Sequence, residues 1–284
     1  MRWQEGRRST NVEDRRGQIV KGGAIGGAGI IVLLLIAVLM GADPGALLNT
    51  ITTEGGSYYD GGTTGTVSAE EAQLADMVSV VLADTEDAWR VIFRENGAVY
   101  REPTLVLFSG GAESACGYAQ SATGPFYCPA DEKVYIDLSF YQELKDQFGA
   151  PGDFAQAYVI AHEVGHHVQN QFGILDQVTA IQRRSDEVTA NRYSVMLELQ
   201  ADCYAGVWAN RADRARNIIE EGDVEEALNA ASKIGDDNLQ KQTQGYVVPD
   251  SFTHGTSAQR MQWFRTGLSS GDINSCDTFS GSVI

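Results

Sequence analysis

Basic side chains are scarce in this chain: 21 Lys and Arg stand against 38 Asp and Glu, a formal net charge of −17 over 284 residues. Six of those bases fall within residues 1–21 beside three acids (Glu5, Glu13, Asp14), so the remainder carries 15 bases and 35 acids. That sign excludes charge-driven binding of nucleic acid or of an anionic membrane surface by the later part. It suits solubility, a cationic peptide or a divalent cation. Charge is missing altogether from Ala24 to Ala42, whose centre reads Ile30-Ile31-Val32-Leu33-Leu34-Leu35-Ile36-Ala37-Val38-Leu39-Met40. Nineteen residues of helix reach about 28 Å, close to a bilayer's hydrocarbon thickness. With no polar face the run is not a core helix, and with no A-x-A site it does not read as a cleaved signal peptide. Arg15, Arg16 and Lys21 precede it and Asp43 follows. The positive-inside rule then predicts residues 1–23 as a cytoplasmic basic segment, 24–42 as a transmembrane helix, and everything later as extracytoplasmic. Gly, Thr and Ser dominate 43–67, read as a flexible linker. Residues 68–284 are the folded domain, with 43% apolar residues in the whole chain to build its core.

Histidine is as sparse, with only His162, His166, His167 and His254. Two of the four sit in His162-Glu163-Val164-Gly165-His166, an H-E-x-x-H pattern expected by chance about 0.004 times in such a chain. Residues four apart share a helix face, so His162 and His166 can aim two imidazoles at one point. Zinc suits that pair, and Glu163, about 100° round the helix, can reach a water there as general base. The bland alternative is a solvated helix, but Phe154, Ala157, Tyr158, Val159, Ile160, Ala161, Val164 and Val168 make this one apolar. Burying His and Glu there is costly unless they are paired or metal-bound.

A catalytic zinc needs a third protein ligand. A third histidine on the pattern H-x-x-G-x-x-H is missing, since Gln169 and Phe172 stand at those places. A carboxylate from a second helix is the alternative. Glu198 and Asp202, four apart, serve: Glu198 as ligand, Asp202 accepting from the far nitrogen of His162. Glu187 is the weaker rival ligand. The four cysteines, Cys116, Cys128, Cys203 and Cys276, are even in number beyond the apolar run, which points to disulfides. Three pairings are open; Cys116–Cys128, closing a loop, with Cys203–Cys276, tying the second helix to the C-terminal tail, is the one expected.

H-E-x-x-H followed by E-x-x-A-D resembles the gluzincin branch of zinc metallopeptidases. More narrowly the chain resembles the bacterial neutral zinc metallopeptidase family, through Met1-Arg2-Trp3, Arg7-Arg8-Ser9, Ser114-Ala115-Cys116-Gly117, Gly124-Pro125-Phe126-Tyr127-Cys128-Pro129, Val134-Tyr135-Ile136-Asp137, Glu198 to Trp208, and Ser251-Phe252-Thr253-His254-Gly255. The resemblance implies an α+β fold: a mainly helical zincin-like domain with a small β-sheet, preceded by one transmembrane helix. It implies a membrane-anchored zinc peptidase, an endopeptidase, with one zinc per chain and a polypeptide substrate. It also implies that an edge strand, Val134–Asp137 or Thr104–Phe108, holds the substrate backbone. A distant His or Tyr would stabilise the oxyanion, with His254 first and Tyr135 and Tyr246 behind it. His167 reads as a supporting or surface residue. The alternative reading is a zinc-bound scaffold or membrane interaction module that binds polypeptide without cleaving it.

Helical spacing predicts a helix from Ser68 through Phe93, a short helix over 140–148, the His162 helix over about 153–172, and the Glu198 helix to about Asn210 with an inserted helical segment before it. Helices are also predicted over 213–222, 223–234, 239–246 and 257–267, and strands over 104–108 and 133–137.

Overall fold

The computed structural model describes residues 1–17, 68–120 and 124–280. The predicted membrane helix over 24–42 and linker over 43–67 lie outside the described residues. Among the described residues no helix is long and apolar enough to cross a membrane.

Ser68 starts the first helix of the domain, α1 (Ala69–Glu95), through a reciprocal capping box with Glu71. Its inner face buries Met77, Val78, Val81, Leu82, Trp89, Ile92 and Phe93. Two apolar strands follow in their predicted places, β2 (Thr104–Phe108) and β6 (Lys133–Asp137), paired in parallel. Parallel strands are covered on both faces, which fits their near-continuous apolar runs. Between them lie the hairpin β3 (Gly111–Ser114) and β4 (Gly117–Gln120), then β5 (Phe126–Cys128), antiparallel to β6.

The four-stranded sheet has the order β1-β2-β6-β5, where β1 is Val12–Asp14 and runs parallel to β2. Both strands expected to hold substrate are therefore interior. β2 is flanked by β1 and β6, and β6 by β2 and β5, so their ladder groups are already taken; among the described residues the outer strands are β1 and β5.

Residues 1–15 belong to the same compact unit as those from Ser68 onward. Met1 and Trp3 are buried, Arg8 pairs with Asp76, and Arg7 pairs with the buried Glu86, which also holds Ser9 and Asn11. The expected separation of 1–23 from the domain thus does not describe residues 1–15, because β1 needs β2 for its hydrogen bonds and Trp3 needs the core for its burial.

The helices then follow: α2 (Ser139–Asp146), α3 (Asp153–Gln171), α4 (Ile174–Gln182), α5 (Glu187–Arg216), α6 (Asp223–Lys233), α7 (Asp236–Gln244) and α8 (Ser257–Ser270). α4 is the inserted segment expected before Glu198. α5 runs past Asn210 to a left-handed Asn217 cap, carried by Ala209, Ala212 and the pairing of Arg216 with Asp84. The helix predicted over 213–222 is consequently the end of α5 plus a loop. Two close crossings set the helices. A Cβ on Gly165 of α3 would meet the Cα and carbonyl of Ala201 in α5 at 3.1 Å. A Cβ on Gly267 of α8 would stand 1.9 Å from the Cys203 carbonyl. Side-chain-free positions let these backbones approach.

Candidate metal centre

α3 and α5 cross with Gly165 against Ala201, which places the turn holding His162 and His166 beside the turn holding Glu198 and Asp202. The Nε2 atoms of both histidines face one carboxylate. His162 Nε2 lies 3.1 Å from Glu198 Oε2, and His166 Nε2 lies 3.4 Å from Glu198 Oε1. One donor atom from each of His162, His166 and Glu198 lies within 4.8 Å of the others.

The outer nitrogens are both engaged. His162 Nδ1 donates to Asp202 Oδ1 at 2.8 Å, and His166 Nδ1 donates to Gln169 Oε1 at 2.9 Å. Those acceptors leave the Nε2 lone pairs available, the arrangement that orients imidazoles on a metal. Two neutral imidazoles and a carboxylate, partly buried on one side of a shared space, fit a zinc ion with an open position. The charges agree. Burial alone would lower the His162 pKa, yet Asp202 and Glu198 outweigh it and push it up to about 10. His166 is likewise raised against its burial, by Glu198. Burial would raise Glu198, but His166 and His162 hold it well below the carboxylate range. The acids thus favour positive charge at the imidazoles, which a metal ion would supply in place of those protons.

Asp202 has further partners that periodicity did not single out. Arg260 of α8, 2% exposed, grips it with Nε on Oδ2 at 2.8 Å and Nη2 on Oδ1 at 2.9 Å. Tyr158 donates to Oδ1 at 2.5 Å. Burial would raise the Asp202 pKa, but Arg260 and then His162 keep it low, so it stays a charged acceptor. A signal for both existed. Tyr158 precedes His162 by four residues, and Arg260 precedes the buried Phe264 by four, so each belongs to an inward face.

Glu163 is 8% exposed, and no other described residue ties up its carboxylate through a hydrogen bond. His254 lies outside the three-ligand group. Its Nδ1 lies 3.2 Å from Asp236 Oδ1, while Asp236 Oδ2 takes the main-chain N–H groups of Thr253, His254 and Gly255. Its pKa is raised, chiefly by the Asp236 hydrogen bond, with Glu198 contributing. Tyr135 instead donates to Asp131 and stacks on Phe126, and Tyr246 is exposed. Glu187 opens α5, eleven residues before Glu198, and is not in the ligand group. His167 is no surface residue: it is fully buried, donating to the Arg101 carbonyl at 2.6 Å and accepting from Tyr127 of β5 at 3.0 Å. Burial lowers its pKa, so it is neutral there. Cys116–Cys128 and Cys203–Cys276 are both bonded.

Fold and centre together define a mainly helical protein with a small sheet and a two-histidine, one-carboxylate site able to hold a metal ion. The chain belongs to the family described as "Putative neutral zinc metallopeptidase", whose model matches residues 1–279. It is 50% identical over 290 residues to "Uncharacterized protein YpfJ" of Escherichia coli (strain K12), covering 100% of both chains. It is 38% identical over 254 residues to "Uncharacterized protein Rv2575" of Mycobacterium tuberculosis (strain ATCC 25618 / H37Rv), covering 86% of this chain and 85% of that one. No solved structure matches.

Proposed function

We propose that this protein is a gluzincin-type zinc endopeptidase with a zincin-like fold, holding one zinc ion through His162, His166 and Glu198. The observation that carries the reading is the pair of Nε2 atoms facing Glu198 while both Nδ1 atoms are occupied. When bound, zinc lowers the pKa of water and polarises a carbonyl. Glu163, buried and free of competing partners among the described residues, accepts a proton from the attacking water and delivers it to the leaving amine nitrogen. His254, steadied by Asp236, donates to the carbonyl oxygen as charge develops. Asp202, held by Arg260 and Tyr158, keeps His162 in the ligand tautomer.

β5 is the strand that would align an extended substrate. It is an antiparallel outer strand, and Tyr127 fastens it to α3 through His167 and Asn170. Main-chain pairing binds many sequences, leaving selection to side-chain pockets. The apolar run at 24–42 supports attachment to a membrane, and two disulfides support an oxidising, extracytoplasmic side. Since residues 1–15 fold with the domain, both parts occupy that one side in our reading.

The test is digestion of a mixed peptide library by full-length protein, wild type beside Glu163→Gln, with products read by mass spectrometry and zinc content measured in both. The expected result is equal zinc and cleavage slowed about 10²–10⁴-fold in the variant. Equal cleavage by both removes Glu163 as base. No cuts by folded, zinc-loaded wild type removes the peptidase reading.

A further inference from the structure

His166 ends a hydrogen-bond chain that leaves the centre and crosses the core. His166 Nδ1 meets Gln169 Oε1 at 2.9 Å. Gln169 Nε2 donates to Gln200 Oε1 at 3.1 Å and to the Leu197 carbonyl at 2.7 Å. Gln200 Nε2 donates to the Cys276 carbonyl at 3.0 Å. Cys276 is disulfide-bonded to Cys203, one turn beyond Leu199 on α5. Gln169 and Cys276 are fully buried and Gln200 is 5% exposed, so water does not substitute for the links.

The direction of the chain is forced. A main-chain carbonyl only accepts, so Gln200 must turn its amide nitrogen to Cys276 and its oxygen to Gln169. Gln169 must then present nitrogen to Gln200 and to the Leu197 carbonyl, and oxygen to His166. An oxygen at that place demands a proton on His166 Nδ1, which leaves Nε2 bare on the Glu198 side. His162 obtains the same tautomer from a charged partner, Asp202; His166 obtains it from neutral amides whose order is set by two carbonyls.

We infer that Gln169 and Gln200 are positioning residues for His166, with the Cys276 carbonyl, pinned by the Cys203–Cys276 disulfide, as their anchor. The C-terminal segment thereby becomes part of the metal centre although it contributes no ligand. The inference rests on the reading of His162, His166 and Glu198 as zinc ligands.

The experiment measures zinc affinity of the full-length protein by competition with a chromogenic chelator, independently of cleavage. Gln200→Met keeps the length and removes both the amide oxygen and the amide nitrogen; it should weaken zinc binding about 10–100-fold, the usual effect of losing a partner behind a ligand. Gln169→Met should do the same, and the double variant should add little to either single change, because one broken link already frees His166. Thr278→Val is the control. Thr278 donates to the Met196 carbonyl at 2.7 Å, so this change loosens the same segment on α5 without touching the chain to His166. It should keep affinity within about twofold of wild type. Should Q200M fail to fold, Gln200→Asn, which keeps the amide but shortens its reach, takes its place with the same expected loss. Wild-type affinity in the Gln200 variant, or an equal loss in T278V, overturns the inference. A wild type that binds no zinc overturns the ligand reading instead.

Discussion

Arg260 carries a full charge in the core with Asp202 as its counter-ion, and among the described residues Asp202 has no other cation beside it except His162. Removing one member of a buried pair strands the other, which costs about 3–5 kcal/mol. Arg260→Met should therefore lower unfolding free energy by about that amount, measured by denaturant titration of metal-free protein. Arg260→Met with Asp202→Asn should recover a good part of it, because no charge is left unpaired. If R260M alone is neutral, the Asp202 carboxylate is not held charged in the fold. At this scale the site was legible where its geometry is local. His162, Glu163 and His166 share one turn, and Glu198 and Asp202 share another. Arg260, Gln169 and Gln200 matter through partners 58, 3 and 76 residues away; spacing can mark Arg260 as inward-facing, but only tertiary packing shows which partners the two distant ones meet.

Helix crossings convert these local turns into one centre. Gly165 lies within the H-E-x-x-H turn and faces Ala201, which lies between Glu198 and Asp202. Gly165→Ala gains about 1 kcal/mol of helix propensity but must push Ala201 away by a few tenths of an ångström. Thermal stability should change little, while zinc affinity should fall about tenfold or more because the ligand turns separate. Gly267→Ala has no such balance, with the Cys203 carbonyl at 1.9 Å; overpacking there should cost about 1–3 kcal/mol or more, visible as a lower melting temperature. Equal melting temperatures for G267A and wild type would show that α8 sits further from α5 than described. The helices, and strands β2 and β6, were readable because their apolar periodicity or continuity is written within each segment. β1 and β5, three residues each, were not, since their only reason for being strands is the neighbour they pair with. Misplacing the sheet edge followed from that: an interior strand looks like an edge when its partner is invisible in sequence.

The largest consequence concerns the whole molecule and the membrane. An apolar run after basic residues argues for a crossing that leaves residues 1–23 and the domain on opposite sides. Yet Val12, Glu13 and Asp14 pair with Leu105, Val106 and Leu107, and Trp3 is buried. Lys133 also reaches Glu13 at 2.9 Å, joining β6 to β1 across the strand between them. Such contacts form only within one compartment. Single cysteines at exposed positions, Thr10→Cys and Val99→Cys, probe the two parts separately in intact cells with a membrane-impermeant maleimide. Both should be labelled, or both protected until the cells are opened. Labelling at 99 with protection at 10 would mean that β1 does not pair with β2 in the cell. The domain would then have to stand without Trp3 and the Arg7–Glu86 pair. In that event, deleting residues 1–15 should leave its thermal stability unchanged. If they are folded in as described, the deletion removes the buried side chains of Met1 and Trp3 and exposes the edge of β2, and stability should fall by several kcal/mol on the loss of about 1.5–3 kcal/mol per large apolar side chain.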